Sequence, residues 1–187
     1  MAKIKIPGVG TSEGMRQMEN TVFPPGNYLL KVTEIKTRDK ADVAGTVVGT
    51  TFQISSEVLG AENLPASENV RDYAGKTYTD FIFVMSPDHP SYANETKIGG
   101  TVGEIGISQL KSFLDASGVK IKNDEFDETK AVGSWIEVRV GTRSYKDKDG
   151  NDRTGNQVYE YAPHVDEKAV AESTPDEVDF DDDDLLD

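Results

Sequence analysis

Cysteine is absent from this 187-residue chain, so disulfides, thiolate metal sites and a cysteine nucleophile are excluded outright. Only two histidines occur, His89 and His164, and neither sits in an HExxH, an HxH or a carboxylate-bearing spacing. No apolar run reaches the roughly 18 residues of a membrane span, and residues 1–26 hold no stretch of signal-peptide length. A cytoplasmic protein without membrane contact is therefore the expectation. Gly99, Gly100, Gly103 and Gly106 precede a helical pattern but match neither a Walker loop nor a dinucleotide fingerprint. Asp147, Asp149 and Asn151 resemble the start of a calcium loop, yet Asp152 stands where its turn needs glycine and Val158 where it needs a bidentate glutamate. A hairpin turn is the simpler reading. No catalytic constellation remains, so the chain is read as a non-enzyme that needs no metal and no cofactor.

Positive charge is scarce, with 20 Lys and Arg against 34 Asp and Glu and a formal net charge of −14. The imbalance is concentrated at one end. Residues 171–187 hold nine carboxylates and no Lys or Arg, so the rest is only mildly acidic. Residues 166–187 read as a disordered acidic tail, because self-repulsion and a lack of apolar surface prevent collapse. Within it Phe180, Leu185 and Leu186, around the run Asp181, Asp182, Asp183 and Asp184, offer apolar points that a partner can grip. Residues 1–26, rich in glycine and broken by Pro7, Pro24 and Pro25, read as a flexible N-terminal arm. One domain, residues 27–165, is left to fold.

That domain reads as mainly β. In residues 27–38 Tyr28, Leu30 and Val32 share a face and Ile35 falls out of phase, as a β-bulge would produce. Residues 46–58 are rich in β-branched residues, with Phe52 and Ile54 on one face. A third strand covers residues 75–85. Its Phe81/Phe83 face is expected to be core, because the alternative face of Tyr78, Ile82 and Val84 would also bury Asp80 without an evident partner. A helix lies between residues 101 and 117, with Ile105, Leu110, Phe113 and Leu114 at helical spacing, Ser108 as an internal N-cap and Gly118 as the stop. In residues 133–145 Ile136, Val138 and Val140 alternate with Trp135, Glu137 and Arg139. Residues 146–155 form a polar loop, and residues 156–161 return as the last strand. Three strands, a helix and a two-strand hairpin make up the element order of an OB-fold, a five-stranded Greek-key barrel with its helix between strands three and four; the same list also describes other small α+β or β-barrel folds.

An OB-fold grips single strands with the face of strands two and three and the loops after strands one and four. Lys36, Arg38 and Lys40 flank the first of those loops. Arg139, Arg143, Lys146, Lys148 and Arg153 line the second hairpin, with Trp135 and Tyr145 on the same strand face. Cations neutralise phosphates, and aromatic planes stack on bases at about 1–3 kcal/mol each without reading sequence. The plain alternative is that alternating charges mark only a solvated face, that Trp135 packs, and that Asp147, Asp149 and Asp152 dilute the hairpin's charge.

Three segments in order, VFPPGNYLLKVTEIK at residues 22–36, GISQLKSFLDASG at 106–118 and KDKDGNDRTGNQVYEYAP at 146–163, followed by the acidic tail, resemble the single-stranded DNA-binding proteins encoded by bacteriophages. The resemblance implies protection of single-stranded DNA in phage replication and recombination, inside the infected bacterial cell. It also implies that the tail contacts replication or recombination proteins. Dimers occur among such proteins, which makes a homodimer the assembly to test. Related tails end on an aromatic residue, whereas here the only tail aromatic is Phe180 and the end reads Leu185-Leu186-Asp187. Held near the groove by its tether, the tail would compete with weakly bound ligands. A different reading makes the domain a protein-interaction adaptor of phage replication or assembly, with the tail as a solubiliser.

Overall fold

The computed structural model describes residues 22–97, 99–147 and 149–165. The expected tail, residues 166–187, lies outside the described residues, as do Lys148 and residues 1–21 of the expected arm. Five strands, β1 (Gly26–Ala41), β2 (Val47–Glu62), β3 (Thr77–Met85), β4 (Trp135–Lys146) and β5 (Asp152–Pro163), and one helix, α1 (Val102–Ala116), make up the body. They form one antiparallel sheet in the order β3-β2-β1-β4-β5. The sheet curls towards a barrel. Its outer strands β3 and β5 both receive α1, and Tyr161 of β5 hydrogen-bonds Asp80 of β3. Among the described residues no helix is long and apolar enough to cross a membrane.

Strand β1 carries the bulge that its pattern predicts. Val32 and Glu34 face the successive β2 residues Ser56 and Ser55, so Thr33 is the extra residue. Its hydroxyl donates to the Ser55 carbonyl at 2.9 Å. The slip keeps Tyr28, Leu30 and Val32 in the core while turning Lys36 and Arg38 outward to solvent. Packing starts earlier than Tyr28, inside the stretch read as arm. Phe23 is buried edge-on against Tyr28 and Tyr78, and its backbone N–H donates to the Asn156 side chain while its carbonyl accepts from it.

Strand β3 corrects one expectation. Tyr78 and Ile82 are the buried pair, whereas Phe81 is 60% exposed. The Phe face therefore points out. Asp80, on the inner side, finds the partner that the sequence did not reveal, because the Tyr161 hydroxyl donates to its carboxylate. Burial still pushes the Asp80 carboxyl above its ordinary range, opposed by Tyr161, the Phe81 N–H and the Arg143 charge.

Helix α1 begins nearly two turns before Ser108. Thr101 is its N-cap, in a capping box where the Thr101 hydroxyl accepts from the Glu104 N–H and the Glu104 carboxylate accepts from the Thr101 N–H. Ser108 sits mid-helix, and Gly118 at φ +72° follows its end as expected. The glycines inside the helix serve packing. A Cβ on Gly103 would overlap the Tyr92 ring, and one on Gly106 would overlap the Phe83 carbonyl oxygen, so Gly106 lets the helix lie directly on the β3 backbone. Helix propensity alone favours alanine over glycine by about 1 kcal/mol, while overpacking costs about 1–3 kcal/mol. Gly106→Ala is therefore expected to lower the urea midpoint of unfolding, and a raised midpoint would show that the helix stands off the strand.

Candidate nucleic-acid interface

Register places an outward ladder across three strands. Lys36 of β1 faces Gln53 of β2, which faces Phe81 of β3; one rung further, Arg38 faces Thr51, which faces Phe83. Directly opposed residues of antiparallel strands share a face, so two cations, two polar groups and two phenyl rings lie in one surface. The Phe83 ring lies over Gly49, where any Cβ would collide with it, and the Lys40 ammonium sits 5.5 Å from its centroid. A shallow depression of about 270 Å³ runs along this surface, lined by Lys36, Arg38, Lys40, Gln53 and Phe81 among others.

The β4–β5 hairpin supplies the opposite wall. Its paired part runs to Lys146 and Asp152, so the polar loop expected over residues 146–155 is only the tip, residues 147–151. Beyond Val140 the hairpin leaves β1, whose pairing with β4 ends at Gly26. Its free arm borders a groove of about 400 Å³ against β3, where Arg143 and Tyr145 stand across from Gln53, Asp80 and Phe81. The Tyr145 ring, half exposed, lies against Gly155. The two hollows share Gln53 and Phe81 and so form one continuous surface.

The sequence-derived candidates divide on this geometry. Lys36, Arg38, Lys40, Arg143 and Tyr145 come together around Phe81. Trp135 does not join them. It opens β4 opposite Lys31, half exposed, with its ring 5.8 Å from that of His164, whose Nδ1 meets Glu137 Oε1 at 2.9 Å. Arg139 is also on that outer face, donating to Glu160 at 3.2 Å over the Tyr159 ring. Lys146 pairs with Asp152 and Arg153 with Asp147, both at 3.0 Å, so the hairpin tip presents less positive field than its cations suggest. Lys36 is paired with Glu34 at 2.7 Å in an exposed bridge, which costs little to exchange for a phosphate. Arg38 and Arg143 make no ion pair among the described residues. Phe81 and Gln53 were missed from the candidate set, although the Thr77, Thr79, Phe81, Phe83 alternation carries the signal once that face is turned outward.

The calcium-like spacing in the hairpin tip resolves as a turn. The Asp147 carboxylate accepts from the Asp149 and Asn151 backbone N–H groups and from Arg153 Nε, at 2.9–3.0 Å. Comparison of the chain with protein-family models and with curated proteins finds no match. Fold and site geometry are thus the grounds for a functional reading.

The Asp147 contacts have a pH signature. The Arg153 hydrogen bond first, then the turn's N–H groups, hold its carboxyl down at about 2. Because the folded value lies below the 3.8 of an unperturbed aspartate, this support is complete above that value and disappears as pH falls through about 2. An NMR titration is expected to place the Asp147 midpoint about 2, with the resonances of the tip moving together. A midpoint in the ordinary carboxylate range would show that the turn is not held by this group.

Proposed function

We propose that this chain is a non-enzymatic, non-sequence-specific single-stranded DNA-binding protein whose body is an OB-fold. The strand order β3-β2-β1-β4 is that of a Greek key, and the helix between β3 and β4 resting on the two outer strands supports the OB reading. The observation that carries the function is Phe81, a phenyl ring 60% exposed on the outward face of β3, with Lys36 and Arg38 on one side and Arg143 and Tyr145 on the other. An exposed aromatic amid cations costs the free protein solvation and gains nothing inside it. It suits a strand whose bases stack on Phe81 and Tyr145 while its phosphates run past the cations.

In this reading the protein covers single strands during phage DNA replication and recombination in the cytoplasm of the infected bacterium. The acidic segment 166–187 competes for the groove, yields to DNA, and then presents Phe180, Leu185 and Leu186 to replication or recombination proteins. The body's mild acidity is compatible with this, since local charge and not the total sets the field at the groove.

Fluorescence anisotropy with labelled oligo-dT tests the reading. The protein is expected to bind, with affinity falling steeply as salt rises. Phe81→Ala should weaken binding by about 1–3 kcal/mol with little effect on stability, and Arg143→Ala should lower the salt slope by about 1. Deletion of residues 175–187 should tighten binding most at low salt. Absence of binding at low salt, or equal affinity for duplex, would overturn the proposal; a tail deletion without effect would remove the competing role alone.

A further inference from the structure

The groove between β3 and β5 is more than a stacking surface. Tyr78 and Asp80, which lie on the inner side of β3, both reach it at the unpaired edge of that strand, and Arg143 stands on the opposite wall. The Asp80 carboxylate is held by Tyr161, yet ionised oxygens accept more than one hydrogen bond each. Arg143 is near enough for its charge to act on Asp80 but forms no ion pair with it among the described residues. A donor and an acceptor thus face each other across a gap.

We propose that this gap is a subsite for one guanine base of the bound strand, a step that rests on the single-stranded DNA reading. A carboxylate is matched by two adjacent N–H donors, and among the bases guanine offers that pair at N1–H and N2–H. Adenine and cytosine present a ring-nitrogen acceptor there, and thymine a single N–H between two carbonyls. With its donor edge on Asp80, guanine turns O6 towards Arg143 on the opposite wall of the gap. A groove of about 400 Å³ is within the range of small-ligand pockets. Sites built to hydrogen-bond one edge reject others because their own polar groups are then left unpaired. The protein would therefore bind any single strand through stacking and phosphate contacts and set its register on guanines.

The test uses the full chain and oligothymidines of about 10 nucleotides, unmodified or with one central thymidine replaced by guanine, adenine or cytosine. Competition anisotropy at fixed salt reads the ratio of affinities. The guanine oligomer is expected to bind about tenfold tighter than oligo-dT, the order of one bidentate base contact, and the other two are not. Asp80→Asn should bring the ratio to about one. Arg143→Ala, at an exposed side chain, should melt no lower than the unaltered protein and still reduce the ratio; an unreduced ratio would remove Arg143 from the subsite. Equal binding of all four oligomers overturns the subsite while leaving general single-strand binding intact. Binding of none of them at low salt overturns both.

Discussion

The hydrogen bond from the Tyr161 hydroxyl to the Asp80 carboxylate is the contact on which the layout of the groove depends. It joins the two outer strands, β3 and β5, where no backbone ladder does. By giving a carboxylate on the inner side of β3 a partner, it permits Tyr78 and Ile82 to be that strand's core residues. Alternation then leaves Phe81 and Phe83 on the other face. The aromatic character of the surface thus follows from how a buried acid is satisfied.

The bulge at Thr33 does the same for the cations. Without it Lys36 and Arg38 would fall on the side of Tyr28, Leu30 and Val32, facing the core. With it they align with Gln53 and Phe81. Gly49 and Gly106 complete the arrangement, the first by admitting the Phe83 ring and the second by seating α1 on the backbone behind it. Small residues and one inserted residue orient side chains that carry none of the contacts themselves.

Much of this was legible in the chain. The strands, the bulge, the helix and their order follow from alternation and helical spacing, which are local signals. What was not legible depends on distant partners. The inner face of β3 is decided by Tyr161, 81 residues away, and the paired length of the β4–β5 hairpin by cross-strand register through Lys146 and Asp152. Ser108 has the chemistry of an N-cap, but the capping box of Thr101 with Glu104 satisfies the helix start nearly two turns earlier. Of the basic and aromatic candidates, the sequence grouped Trp135 and Arg139 with Arg143 and Tyr145 because they alternate on one strand. A strand of 12 residues is long, however, and its two ends serve different surfaces: one end meets His164 and Glu160, the other borders the groove.

The central claim is that single strands lie across the surface shared by β1, β2, β3 and the free arm of the β4–β5 hairpin. An NMR titration of isotope-labelled protein with oligo-dT tests it most directly. The account predicts that the largest shifts fall on Lys36, Gln53, Phe81, Arg143 and Tyr145, while the Trp135 indole stays nearly still. Shifts centred on Trp135, Glu137 and Arg139, with Gln53 and Phe81 unmoved, would contradict it.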